Sequence, residues 1–457
     1  MILQSIWNFI TGRKLPQDIV MSDELINKWL DIYHGKADWI KYSYPTLTGR
    51  KVERKRKSLN AAKLIISELS RLVWSEMPEI NTDNDIEQFL KDNNFENKMP
   101  QFTEYGAAGG GYALKLYSKD SKLKLDYVPA NMFIPVSWDN KRILEADFIS
   151  REIVDGKSYL KIEKHRKTET GYNIATEIWQ DNADGTLKRD KALETESVDI
   201  AVSRPLFAYI SNPEANNFSM YSPLGISLYA NAIDTLEALD IAFDALSQEI
   251  VLGRKRIIVP ASATRLFVDT ETGKRVRYFD PSDEIFQAFN SEDAQNIKIT
   301  DNTVELRINE LRLAVQTLLD VLATQTGFSA GTFSFDGVSM KTATEVISEN
   351  SKTFKLKQSY ENQIKCGVLD LLETIREIGG LYGINTSTEE YSIIFNDAVI
   401  EDRNSKTNYW LQRYSQGTAT LKKVLEELDG MTEEEAEEEA LKIKEQNQTI
   451  DTGFVGI

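Results

Sequence analysis

The stretch from Asn302 to Gly380 constrains this chain most. It reads as a helix, a glycine-rich loop and a much longer helix. Leu311, Val315, Leu318 and Leu322 recur at the helical spacing. Gly327 to Lys341 then holds three glycines and three phenylalanines, so neither helix runs through it. A second helix is expected from Thr342 to about Ile378, roughly three times the ordinary length of about 11–12 residues. Two long helices joined by such a loop present the loop tip to something, and the rest of the chain has to hold them in place.

Another long helix precedes this pair. Ser222-Pro223-Leu224 supplies a start and Gly253 a stop. Tyr229, Ile233, Leu236, Leu239, Phe243, Leu246 and Ile250 form its apolar stripe, with Asp234, Glu237, Asp240 and Asp244 opposite. At 1.5 Å per residue it is on the order of 40 Å long. The four carboxylates are expected on a solvated face, since acid–base catalysis requires two groups in different environments. Residues 254–304 read as a small β-rich insertion. Arg254-Lys255-Arg256 leads into strand 257–260. Arg265 to Asp269 and Arg275 to Phe279 form a hairpin across Lys274, and 285–289 and 296–300 are further strands. Both ends return to the helices, so this module is a head on a stalk.

Residues 1–100 read as helical. Ser22 is expected to cap a helix reaching Tyr33, with Leu25, Trp29 and Ile32 on one face. The basic run Arg50, Lys51, Arg54, Lys55, Arg56 and Lys57 leads into an amphipathic helix carrying Leu59, Ala62, Ile66, Leu69 and Val73; Asp85 to Asn93 is another helix. The basic run has two readings, a solvated helix face or a contact with an acidic neighbour or nucleic acid. From Tyr105 the period becomes two. Six strands are expected in one antiparallel meander, at 112–117, 122–128, 132–136, 145–154, 157–165 and 172–180. Gly106, Gly109, Gly110 and Gly111 open the first strand; a phosphate loop would instead open a helix, so a tight turn with close backbone approach is expected. After Gly380 come a strand, Tyr391 to Phe395, and helices Asn404 to Ser415 and Thr418 to Leu428. Thr432 and Glu435 form a capping box for a last helix, whose acidic start suits the macrodipole. The tail from Gln446 to Ile457 reads as disordered.

The net charge of −17 argues against tight, general binding of nucleic acid, though not against a surface past which DNA slides. Only His34, His165 and Cys366 are available for nucleophilic or zinc chemistry. Cys366 is expected to be a small buried residue on the long helix. No metal, cofactor or catalytic activity is expected. No apolar run approaches about 18 residues, so no membrane span is expected. Arg13-Lys14 follows the apolar Met1 to Ile10, the reverse of a secretory signal, and synthesis and assembly in a cytoplasm are expected.

Several stretches carry a resemblance in detail: Gly111 to Tyr117 with Val128-Pro129, Pro223 to Asp234, Asp336 to Val346, Ile394 to Asp397, and Gly430 to Ala436. Taken in this order, with the helices and β insertion between them, the chain resembles the portal proteins of tailed bacteriophages, of the type found in siphophages of Gram-positive hosts. The resemblance implies an α+β fold with an α/β wing, long stem helices, a small β-rich clip, a tunnel loop and a helical crown, assembled as a ring. Residues 1–222 would be N-terminal helices and wing, 223–253 and 305–326 stem helices, 254–304 the clip, 327–341 the tunnel loop, 342–400 the long wing helix with a returning strand, and 401–457 the crown and tail. It implies a dodecamer at one capsid vertex of the virion, through which double-stranded DNA is packaged and ejected. Its partners would be further copies of itself, terminase, the major capsid and scaffold proteins and a head-completion or adaptor protein.

Phe328, Ser329, Phe333, Phe335, Asp336, Ser339 and Lys341 would be the DNA-facing set. The three phenylalanines either wedge between neighbouring loops and touch the duplex or pack the loop onto the stem. Lys341 is either a phosphate contact or a solvated first-turn lysine. Arg254, Lys255, Arg256, Arg265, Lys274 and Arg275 would form the docking face for terminase or adaptor. Twelve chains would sum to a charge of roughly −200, which keeps DNA from adhering to the channel wall. No Gly-x-x-x-x-Gly-Lys-Ser/Thr is present, so the energy for packaging would come from a separate ATPase. The rival readings are a monomeric helical scaffold or adaptor, and a carboxylate-based hydrolase using Asp139, Glu145 or Asp147.

Overall fold

The computed structural model describes residues 17–45, 49–181, 186–194, 197–253, 257–258, 265–268, 273, 275–278, 300–301, 305–334, 343–387, 390–395, 403–429, 431–432 and 435–443. The fold is α+β with open sheets. Helix α1 (Gln17–Tyr33) begins five residues before the expected cap, so Ser22 lies inside it. It is followed by a ribbon of β1 (Lys41–Pro45) and β2 (Lys51–Lys55). Lys51, Arg54 and Lys55 of the basic run are therefore strand, and Arg56 and Lys57 follow it, none of them in helix. Helix α2 (Ala61–Val73) buries Ala62, Ile65, Ile66, Leu69 and Val73 at the helical period.

After β3 (Glu79–Asn81) and α3 (Asn84–Asp92) comes a helix that the sequence pattern hid, α4 (Phe95–Gly109). Pro100 lies inside it, and the Pro100 carbonyl accepts from Ser70 Oγ at 2.7 Å. Gly110, at φ 98°, ends it and leads straight into β4 (Gly111–Lys119). The glycine cluster is thus a helix stop and a turn. Its tightness has a cause: a Cβ on Gly110 would stand 2.5 Å from the Gly225 carbonyl oxygen, and one on Gly225 would stand 2.3 Å from that of Gly110.

The expected meander is divided between two sheets. β4 and β5 (Lys122–Pro129) pair with β12 (Phe207–Ser211) in a three-stranded sheet, order β12-β4-β5. A short 3₁₀ turn, Ala130–Met132, then breaks the pairing. β6 (Phe133–Asp139), β7 (Arg142–Val154), β8 (Lys157–Lys167), β9 (Tyr172–Asp181) and β10 (Leu187–Arg189) continue in a second antiparallel sheet, with β11 (Val198–Ile200) also on β9. The Asp155-Gly156 turn between β7 and β8 is where the hairpin signal placed it.

The stretch from Ser222 to Ala230 is buried at every position, in turns and not in helix. Helix α5 (Ile233–Leu252) therefore starts about ten residues later than expected. β13 (Ile257–Ile258) pairs with β16 (Thr300–Asp301), and β14 (Arg265–Val268) with β15 (Arg275–Tyr278). The two ends of the 254–304 segment are thereby hydrogen-bonded together. Helices α6 (Ile308–Gln325) and α7 (Ala343–Ile378) follow, and β17 (Ser392–Ile394) returns to pair with β3. Helices α8 (Arg403–Ser415) and α9 (Leu421–Asp429) and a last helical stretch, 435–443, complete the described chain. The Thr432–Glu435 capping box is made: Thr432 N donates to Glu435 Oε2 at 2.9 Å, and Glu435 N to Thr432 Oγ1 at 3.4 Å. The tail expected to be disordered, the strand expected at 285–289 and all but the last residue, Thr300, of the strand expected at 296–300 lie outside the described residues.

One large core joins α1, α2, α4, the three-stranded sheet, the first half of α5, α6 and the second half of α7. On α7 the inward positions are Tyr360, Ile364, Val368, Leu371, Leu372, Ile375 and Ile378. Cys366 falls on the opposite side of the helix and is exposed, correcting the expectation that it is buried.

Candidate functional site

The candidate site is the helix pair α5 and α6 with the loop at its end. Glu249, near the end of α5, takes Arg307, at the start of α6, with Arg307 Nη2 2.9 Å from Glu249 Oε2. The helices therefore run antiparallel. Leu236 and Leu239 of α5, and Val315, Leu319, Leu322 and Ala323 of α6, are buried. Ile241, Ile250, Val251 and Leu252 of α5 remain exposed, as do Leu306, Leu313 and Val321 at and along α6.

The acidic side of α5 is not the solvated face the pattern predicts. Asp240 and Asp244 are each only 7% exposed. Asp240 accepts from Trp39 Nε1 at 2.9 Å and from Leu59 N at 3.2 Å. Asp244 accepts from Lys57 N at 3.0 Å and from Arg54 Nη2 at 3.1 Å. These two carboxylates, one helical turn apart, grip both feet of the β1–β2 ribbon. Only Asp234, of the four acids, is exposed.

The loop leaves α6 by a Schellman turn. Gly327 takes φ 80°, Phe328 N donates to Ala323 O at 2.8 Å and Gly327 N to Thr324 O at 3.4 Å. Phe328 is fully buried and meets Phe333 edge-on at 5.2 Å between ring centroids. Ser329 is 3% exposed; its N–H donates to Thr353 Oγ1 of α7 at 2.9 Å. Gly331 N donates to Asp320 Oδ1 of α6 at 3.2 Å. The base of the loop is thus tied to both helices. Of the expected DNA-facing set, Phe328 and Ser329 lie inside the subunit and Phe333 is half-buried beside them. Phe335, Asp336, Ser339 and Lys341 lie outside the described residues. Asp320 and Thr353, which do the tying, carried no sequence signal beyond ordinary helix positions.

Of the expected docking cations, Arg265 and Arg275 lie on the β14–β15 hairpin. The register Val268↔Arg275 and Arg265↔Tyr278 puts Arg275 next to the turn and Arg265 at the far end. Arg254, Lys255, Arg256 and Lys274 lie outside the described residues.

Two buried acids are perturbed. Burial pushes the Glu163 carboxyl up, but the hydrogen bond from His165 and the charge of Lys115 outweigh it and hold its pKa at about 2. His165 is driven down by its own burial. In the loop after β12, burial raises Glu214 to about 7 against a hydrogen bond from Tyr360 of α7; Tyr360 Oη lies 3.3 Å from Glu214 Oε2. Neither forms a paired acid site. Nor do the hydrolase candidates: Glu145 accepts from Lys167 N at 2.9 Å, Asp147 is buried against Arg166 at 2.6 Å, and Asp139 is exposed at the β6–β7 turn. Among the described residues no group of three His, Cys, Asp or Glu could hold a metal ion, and no helix is long and apolar enough to cross a membrane.

Residues 23–453 match the family described as "Phage portal protein, SPP1 Gp6-like". This chain belongs to that portal family. As a portal chain it is a structural component of the phage virion, at the capsid vertex, and not an enzyme. Among solved structures, a chain from the virion of a native gene transfer agent particle is similar to it, with a TM-score of 0.49 at 9% identity over 94% of this chain and 99% of that one. No curated protein matches.

Proposed function

We propose that this portal chain assembles into a ring, expected to be a dodecamer, that forms the channel for packaging and ejecting double-stranded DNA. The α5–α6 pair is the stem, residues 254–304 the clip, 327–341 the tunnel loop, 342–400 the long wing helix with its strand, 1–222 the rest of the wing, and 401–457 the crown and tail. The observation that carries this reading is the loop base. Asp320, Thr353 and the buried Phe328 fix it to two long helices, so the loop leaves the helix pair from a fixed point. Phe335, Asp336, Ser339 and Lys341 are the residues we assign to its tip. The exposed apolar side chains of the helix pair, among them Ile250, Val251, Leu252, Leu313 and Val321, are the surface we assign to cover by a neighbouring copy.

The clip cations Arg254, Lys255, Arg256, Arg265, Lys274 and Arg275 are assigned to docking of terminase or an adaptor. Capsid and scaffold proteins are the remaining partners. The test is removal of 334–339, which spares the anchored base. Rings of unchanged mass that fail to retain packaged DNA are expected. Loss of assembly would overturn the assignment of the loop to the channel.

A further inference from the structure

The β1–β2 ribbon is unlike the rest of the chain. From Lys36 to Lys57 eight cations stand against Asp38 and Glu53, a net of +6 in a chain of −17, which leaves −23 for the remainder. Its register sorts the side chains into two faces. Tyr42↔Arg54 and Tyr44↔Val52 form one; Lys41↔Lys55, Ser43↔Glu53 and Pro45↔Lys51 form the other. The first is turned to the body. Arg54 reaches Asp244, the Tyr42 and Tyr44 rings stack at 6.2 Å, and the Arg56 guanidinium lies 4.6 Å from the Tyr42 ring centre. On the second face Lys41, Lys51 and Lys55 are all exposed, with Ser43 and Glu53 among them. Among the described residues no third strand joins the ribbon. A lone two-stranded ribbon is marginal in water, yet this one is held at four points by Asp240 and Asp244. It is a cationic surface offered in a fixed direction.

We propose that the outward face of this ribbon, through Lys41, Lys51 and Lys55, docks on an acidic face of an adjacent copy of the same chain. The inference rests on the ring reading above. A closed ring joins each copy to its neighbours through two different faces. An outward face of three lysines and one glutamate on one side then meets a body carrying −23 on the next. Glu53, set among the lysines, suits a protein surface of mixed sign better than a row of phosphates. Of the two tyrosines that could stack on bases, Tyr42 is covered by the Arg56 guanidinium and only Tyr44, 43% exposed, is open to solvent. Because the lysines are solvated, the contact acts on register and association rate and is screened by salt.

The test is carbodiimide cross-linking of full-length rings assembled from equal parts unlabelled and ¹⁵N-labelled chain, read by mass spectrometry. It is paired with the triple variant Lys41→Glu, Lys51→Glu, Lys55→Glu. The expected result is cross-links from these lysines to carboxylates of mixed label. The variant is expected to melt like the unassembled wild type but to need on the order of tenfold more protein for half-assembly, with a flatter dependence on salt. The Lys→Gln triple variant, which adds no repulsion, should show the same direction at smaller size. Wild-type rings whose ribbon lysines link only within one chain would overturn the proposal, as would a variant that assembles like the wild type. Unchanged assembly with weakened retention on a short DNA duplex would overturn it in favour of DNA as occupant. A wild-type chain that forms no oligomer at any concentration or salt would refute the ring reading, and this inference with it.

Discussion

Replacing Asp240 and Asp244 together by alanine removes the acceptors for four donors: Trp39 Nε1, Leu59 N, Lys57 N and Arg54 Nη2. A hydrogen bond to an ionised group is worth about 1.5–3 kcal/mol, and the upper end applies only where water cannot replace the lost acceptor. Arg54 and Trp39 are only partly buried, so their share is small. The backbone donors Lys57 N and Leu59 N, both just after β2, carry most of the effect. The expected loss for the pair is about 3 kcal/mol, less than the sum of the singles' face values because both acids hold the same ribbon. Among the described residues the ribbon has no other sheet to lean on, so this loss appears first as local opening. Amide exchange over residues 41–57 is therefore expected to accelerate on the order of a hundredfold, while α7 and the six-stranded sheet keep their protection. The Asp→Asn pair keeps one acceptor oxygen per side chain and should fall between. Exchange rates in 41–57 that match the wild type would refute the reasoning, since the ribbon would then be held by something other than α5.

Glu214 makes stability depend on pH. Its carboxyl titrates near 7 when folded, against a usual 4.5, because burial raises it. Between those values the native chain holds a proton that the unfolded chain has released, so stability falls as pH rises from 4.5 through 7, by up to about 3 kcal/mol. Urea midpoints from pH 5 to 8 should slope downward in the wild type and less so in Glu214→Gln; equal slopes would remove Glu214 as the cause. Gly225→Ala places a Cβ 2.3 Å from the Gly110 carbonyl oxygen and 2.9 Å from Asn212 N, all backbone. A loss of about 2 kcal/mol or more in denaturant midpoint is expected, and a neutral result would mean that this approach is not tight in solution.

Where local pattern and tertiary packing agreed, the fold was legible. Leu311, Val315, Leu318 and Leu322 read correctly as helix, the Asp155-Gly156 turn as a hairpin, and Thr432 with Glu435 as a cap. Where packing overrode pattern, it was not. Gly106, Gly109, Gly110 and Gly111 read as the opening of a strand, yet Phe95–Gly109 is helical because it lies in the core beneath β4. Tyr229 and Pro223 read as the start of a long helix. The chain instead stays in turns up to Asn231, since nine consecutive buried residues and the Gly110–Gly225 contact leave no room for a helical cylinder. Asp240 and Asp244 read as solvated because an amphipathic wheel carries no information about a ribbon arriving from about 190 residues away. The site was partly legible for the same reason. The glycines and phenylalanines marked the loop, but its anchors, Asp320 and Thr353, are unremarkable in sequence and are found only when α6 and α7 are placed side by side.

The most direct test of the central claim is negative-stain electron microscopy of the purified full-length chain, with particle masses measured on the same sample. Closed rings with a central hole and a mass that is a whole multiple of 52.0 kDa, close to twelvefold, are expected. A uniform population of monomers at every concentration tested, with and without scaffold protein, would contradict that claim.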